Sequence, residues 1–115
     1  MFKQSTLEQE LINQLSAQPD QLRDLTLHFI GIGGIGVSAV ARMLAERGAR
    51  IQGSDVRHSQ LTSAMEQLGA RVTIGHDPAH IDGADIVVFS TAVPQDNVEL
   101  VEARRRQLPC LHRSQ

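Results

Sequence analysis

Gly31-Ile32-Gly33-Gly34-Ile35-Gly36 follows directly on the apolar run Leu25-Thr26-Leu27-His28-Phe29-Ile30 and precedes a stretch of helical periodicity. Glycine costs a helix roughly 0.5–1 kcal/mol relative to alanine. Two adjacent glycines at a helix start therefore mark a place where the backbone must turn tightly or let something approach it closely. The short apolar run before them has the texture of a strand buried on both faces. Gly31-x-Gly33-x-x-Gly36 between a strand and a helix is the dinucleotide-binding fingerprint. Its first glycine permits the tight turn, its second admits a diphosphate to the backbone, and its third lets helix and strand pack closely. The free N–H groups and partial positive charge of the helix N-terminus complement such an anion. Gly31, Gly33, Gly34, Ile35 and Gly36 are accordingly candidate diphosphate-binding residues.

The rest of the chain continues the alternation. A helix is predicted from about Gly34 to Arg47, with Val37, Val40, Ala41 and Leu44 as its apolar stripe and Gly48 as its C-terminal cap. Arg50-Ile51-Gln52-Gly53 reads as a second strand ending at Ser54-Asp55, and a second helix runs from about Ser59 to Leu68. Arg71-Val72-Thr73-Ile74 reads as a third strand, broken by Gly75-His76-Asp77-Pro78 and followed by a short helical turn towards Gly83. Ile86-Val87-Val88-Phe89-Ser90 is a fourth strand, Pro94 and Asp96 mark the entrance of a helix reaching Arg106, and Pro109-Cys110-Leu111-His112 is a fifth strand. No tight hairpin signal interrupts the series. The pattern predicts an α/β fold: a Rossmann-like, doubly wound parallel sheet of about five strands with helices on both faces.

Residues 1–24 form a leader ahead of this domain, which spans residues 25–115. Ser5-x-x-Glu8 has the form of a capping box, and Leu7, Leu11, Ile12 and Leu15 recur at helical spacing, so residues 5–17 read either as an ordered helix or as a frayed leader.

Composition removes several function classes. With 115 residues there is enough chain for one core but not for two. Eleven Lys+Arg against 13 Asp+Glu, no Trp, no Tyr and three Phe supply neither the basic stripe nor the stacking aromatics of a nucleic-acid binder. The apolar runs fall far short of the ~20 residues of a membrane span. The N-terminus lacks the apolar segment of an export signal, so a cytoplasmic protein is expected. One cysteine supports neither an internal disulfide nor a multi-cysteine metal site, and the five histidines show no ligand spacing on a helix face. No metal is predicted. Cys110 reads as a small buried hydrophobe, and Arg104-Arg105-Arg106 as a solvated helix end.

Further candidates lie at strand ends. Asp55, 19 positions beyond Gly36, stands where a carboxylate would accept from a ribose hydroxyl or a ring donor. Ser54 either caps the turn or touches phosphate. Ser90, Thr91 and Ala92 occupy the C-terminal end of the fourth strand, where open α/β sheets bind ligands, with turn capping as the alternative role of their hydroxyls.

The run His28-Phe29-Ile30-Gly31-Ile32-Gly33-Gly34-Ile35-Gly36-Val37-Ser38 resembles the opening of the Mur ligases. Gly53-Ser54-Asp55, Ser90-Thr91-Ala92-Val93-Pro94 with Asp96-Asn97, and Pro109-Cys110-Leu111-His112-Arg113 resemble the same family in order and spacing, so the likeness covers residues 27–113. Val37 departs from the Met common there. The resemblance implies a first domain that holds the UDP part of UDP-N-acetylmuramate, followed by an ATP-binding domain with a P-loop and a C-terminal domain that receives the amino acid. The branch it is most similar to adds L-alanine in peptidoglycan biosynthesis. It also implies that His76 lies near the uracil; read by itself, a lone loop histidine is a surface residue. The sequence holds no Gly-x-x-x-x-Gly-Lys-[Ser/Thr]. The expectation is an N-terminal substrate domain without a cofactor of its own, which binds but does not catalyse. ATP and Mg²⁺ would serve the full-length enzyme, and the partners are UDP-N-acetylmuramate and the enzyme's own other domains. The alternative is an NAD(P)-binding domain of an oxidoreductase or a nucleotide-sensing regulatory module, which Gly31–Gly36 and Asp55 also fit. The Ser90–Asn97 stretch favours the ligase.

Overall fold

The computed structural model describes residues 24–113, so the expected helix over 5–17 lies outside the described residues. Strand β1 (Thr26–Ile30) leads through the glycine loop into helix α1 (Ile35–Glu46), and β2 (Arg50–Asp55) into α2 (Gln60–Gln67). Then come β3 (Arg71–Ile74), a 3₁₀ turn (Pro78–Ile81), β4 (Ile86–Ser90), α3 (Val98–Arg105) and β5 (Cys110–Arg113). The strands form one sheet of order β3-β2-β1-β4-β5, parallel throughout. The expected doubly wound architecture is what the chain adopts.

Strand side chains alternate between the two faces of the sheet. Leu27, Phe29, Ile51 and Val88 face one way and pack with Val37, Val40, Ala41 and Leu44 of α1 and Met65 of α2. Ile30, Val87 and Phe89 face the other way, against Ile81 of the 3₁₀ turn and Leu100 and Ala103 of α3. Cys110 is half-buried at the edge of this second core rather than enclosed, with its thiol 3.3 Å from the Leu108 carbonyl. Among the described residues, no helix is long and apolar enough to cross a membrane.

The helix ends follow local chemistry. Ser59 caps α2 in a reciprocal box with Thr62: Ser59 Oγ accepts from Thr62 N, and Ser59 N donates to Thr62 Oγ1 at 2.8 Å. Asn97, rather than Asp96, caps α3 by accepting from the N–H groups of Glu99 and Leu100. All three helices close in the same paired-bond motif, with the residue after the cap at positive φ: Gly48, Gly69 and, unusually, Gln107. The arginine run at the end of α3 is engaged locally. Arg104 lies over the Phe89 ring, Arg105 and Arg106 clasp Glu102, and Arg106 also reaches Asp82.

Candidate nucleotide-binding cleft

In a sheet of this order the connections leave β1 and β4 in opposite directions. A crevice therefore opens beyond the C-terminal ends of those strands. The described residues form an open cleft of about 870 Å³ there, lined by Gly31, Gly33, Gly34 and Ile35 on one side and Ser90, Ala92, Val93, Pro94 and Asn97 on the other. Asp55, Val56, Arg57, Ser59 and His76 complete its wall.

The glycine loop is held by β2. Ser54 O accepts from both Gly31 N (2.8 Å) and Ile32 N (3.0 Å), and Gly31 turns at φ +78°. The loop lies so close to β2 that a Cβ at Gly53 would stand 2.6 Å from Phe29 O and 2.8 Å from Ile32 Cβ. Asp55 fastens the next residue: Oδ2 accepts from Gly33 N at 2.8 Å and Oδ1 from Val56 N at 2.7 Å. Gly34 N turns back onto Gly31 O at 2.9 Å, and the first helical bond of α1 runs from Ser38 N to Gly34 O. Among the described residues the N–H groups of Ile35, Gly36 and Val37 have no acceptor, as expected of a helix's first turn. The donors free for an anion are thus those at the start of α1, one step further along than Gly31 and Gly33.

The remaining predicted residues divide. Ser90 and Ala92 line the cleft, but Ser90 Oγ accepts from Ala92 N at 3.2 Å, so its hydroxyl caps the turn. Thr91 is exposed and Gly36 half-buried, and neither lines the cleft. Ser54 is fully buried: its carbonyl holds the glycine loop, while its hydroxyl donates to Glu99 Oε1 at 2.6 Å. His76 lines the cleft with Nδ1 turned inward to Ser54 Oγ at 3.0 Å.

Two residues that sequence reasoning missed belong here. Arg57 is the cleft's one arginine or lysine among the described residues, and its signal was its place two positions after Asp55. Glu99, fully buried in the first turn of α3, gathers His28, Ser54, His76, Asp77 N and His80 around its carboxylate. Burial pushes this carboxyl up, but the hydrogen bonds from His28, Ser54 and His80 outweigh it and hold it at about 2, well below its usual 4.5. Its only sequence signal was an acidic residue within an apolar helical stripe. Among the described residues, no cluster of His, Cys, Asp or Glu is placed to hold a metal ion.

Known proteins resemble this chain in sequence and fold. The family model described as "Mur ligase family, catalytic domain" matches residues 26–115. A UDP-N-acetylmuramate–L-alanine ligase of Symbiobacterium thermophilum is 53% identical over 95 residues, which are 82% of this chain and 20% of that protein. One from Caulobacter sp. (strain K31) is 49% identical over 77% of this chain and 19% of its own length. The crystal structure of the UDP-N-acetylmuramate–alanine ligase of Thermotoga maritima superposes with a TM-score of 0.74 at 35% identity, over 77% of this chain and 21% of that one. Shikimate dehydrogenase from Aquifex aeolicus, at 13% identity and a TM-score of 0.55, shares the fold alone. The chain thus spans about one fifth of the length of the curated relatives it matches. With its glycine loop, strand order and switch-point cleft all in place, the chain belongs to the Mur ligase family.

Proposed function

We propose that this chain is the N-terminal domain that holds UDP-N-acetylmuramate for an ATP-dependent ligase joining L-alanine to it in peptidoglycan biosynthesis. The observation that carries the reading is the start of α1, whose first unpaired N–H belongs to Ile35, a residue that lines the switch-point cleft together with Arg57. A diphosphate seated there is met by a helix N-terminus and one guanidinium. Identity at about half of the positions in the relatives' matching segments, and the names of those relatives, support the nucleotide sugar as the ligand.

The complete ligase would phosphorylate the muramoyl carboxylate with ATP, and the alanine amine would displace the acyl phosphate. Those steps call for a phosphate-clamping loop and Mg²⁺, for which this sequence carries no Gly-x-x-x-x-Gly-Lys-[Ser/Thr]. This domain's contribution is orientation. It holds one reactant so that the other domains work on a fixed carboxylate. Its partners in this reading are UDP-N-acetylmuramate and the ligase's ATP-binding and C-terminal domains.

Titration of the 115-residue chain with UDP-N-acetylmuramate, UDP, NAD and NADP, followed by backbone amide NMR, tests the assignment. The expected result is a shift of the Gly33–Val37 amides with the two uridine ligands and not with the dinucleotides. Saturation by NAD or NADP at micromolar concentration, with no response to UDP, would overturn it.

A further inference from the structure

We infer that Glu99 is a positioning residue for the cleft: with Ser54 it holds the His76 ring with its proton on Nδ1, leaving Nε2 to meet a ligand as a hydrogen-bond acceptor. The inference deepens the nucleotide reading of the cleft and rests on it.

The proton positions follow from a chain of contacts that begins at the sheet edge. Arg71 Nη2 donates to Gln52 Oε1 at 3.2 Å, which fixes the amide so that Gln52 Nε2 donates to His80 O (2.9 Å) and to His28 Nδ1 (3.0 Å). His28 therefore accepts at Nδ1, and its Nε2–H donates to Glu99 Oε1 at 2.7 Å. Ser54 Oγ lies 2.6 Å from the same oxygen. A hydroxyl that close to a carboxylate oxygen donates its one proton to it. Ser54 Oγ has then only lone pairs left for its contact with His76 Nδ1 at 3.0 Å, so the proton of that bond sits on the imidazole.

Glu99 Oε2 reinforces the arrangement from the other side. It lies 3.4 Å from His76 Nδ1, accepts from His80 Nδ1 at 2.8 Å, and accepts from Asp77 N at 3.1 Å. The backbone next to His76 is thus pinned on the same carboxylate that orders its ring. His76 Nε2 has no partner among the described residues, and His76 lines the cleft. A neutral imidazole protonated at Nδ1 carries its lone pair on Nε2. That nitrogen suits a donor, such as the imide N–H or a ribose hydroxyl of a nucleoside. A diphosphate has no proton to offer it. Buried on α3 and remote in sequence, Glu99 would select the nucleoside without touching it.

Glu99→Gln tests this. The amide orientation that keeps the bonds from His28 and Ser54 costs Asp77 N its acceptor and turns the NH₂ towards His76 and His80, favouring the tautomers whose Nδ1 atoms accept. Long-range ¹H–¹⁵N NMR of the imidazoles in the ligand-free 115-residue chain should show His76 as the Nδ1–H tautomer, moving towards Nε2–H in the variant. The variant should bind UDP about tenfold more weakly or worse, the loss of about one hydrogen bond, while holding inorganic pyrophosphate as the wild type does. An Nε2–H tautomer in the wild type would overturn the inference, as would equal weakening towards UDP and pyrophosphate. The wild-type tautomer needs neither variant nor ligand, so it decides the matter even if the variant fails to fold. A wild-type chain that shows the Nδ1–H tautomer yet takes up no UDP would instead overturn the reading of the cleft.

Discussion

A methyl group at Gly33 would stand 2.8 Å from Asp55 Oδ2, 2.9 Å from Thr62 Cγ2 and 3.2 Å from Ser59 Oγ. None of these atoms is free to withdraw: Asp55 is bound to two backbone amides, and Ser59 and Thr62 cap each other. Replacing glycine by alanine reduces the entropy of the unfolded chain, a gain of about 0.4–1 kcal/mol. Overpacking of this kind costs about 1–3 kcal/mol, so the clash wins. Gly33→Ala should therefore lower the melting temperature by several degrees, read by thermal unfolding, and weaken UDP binding by shifting the loop that leads into α1. A variant that melts with the wild type and binds UDP equally well would show that the loop accommodates a side chain. Gly33 was legible as a close-approach residue in the sequence. What it approaches within the protein was not, because Ser59 and Thr62 come from the next crossover.

The helices show how far local signals reach. The stripe of α1, the capping serine of α2 and the glycines after both are written within a few residues of where they act. Helix α3 ends by the same bonds, Gln107 N to Arg104 O and Leu108 N to Ala103 O, yet places a glutamine at φ +62°. A side chain in that conformation costs about 1–2 kcal/mol, against roughly 0.4–1 kcal/mol of extra unfolded-state entropy for glycine. Gln107→Gly should thus stabilise the domain by about 0.5–1 kcal/mol, visible in urea unfolding as a higher midpoint at unchanged slope. A lower midpoint would mean that the exposed Gln107 side chain makes contacts worth more than the strain.

Across the whole molecule, one carboxylate ties together β1, β2, the turn after β3 and α3. Glu99 is held at about 2 in the folded chain against 4.5 ordinarily. A carboxyl depressed on folding contributes stability that is complete above its unfolded value and is lost as the pH falls through its folded one. The contribution, about 3 kcal/mol by the size of the shift, should vanish between about pH 4.5 and 2. Glu102 is likewise held at about 2 by hydrogen bonds from Arg105 and Arg106, but it belongs to an exposed cluster that water screens. Urea unfolding from pH 7 to 2 should show the wild type losing stability in that window, while Glu99→Gln starts less stable and converges on it near pH 2. Parallel curves for the two proteins would place the titrating group elsewhere.

Sequence by itself determined the order of strands and helices, the parallel sheet and the glycine loop. Hydrophobic period, caps and turn glycines act over a few residues, and a βαβ series closes in one hand. It also located Asp55, though as a ligand carboxylate; in the fold its two oxygens first hold Gly33 and Val56. Tertiary structure alone decided which N–H groups of the loop stay open, that Ser54 turns its hydroxyl inward, and that Glu99 is the centre of a buried network. His28, Ser54, His76 and His80 lie 71, 45, 23 and 19 positions from Glu99. No periodicity spans such distances. Only the winding of the sheet, which brings side chains of β1 and β2 to the first turn of α3, gathers their donors onto one carboxylate.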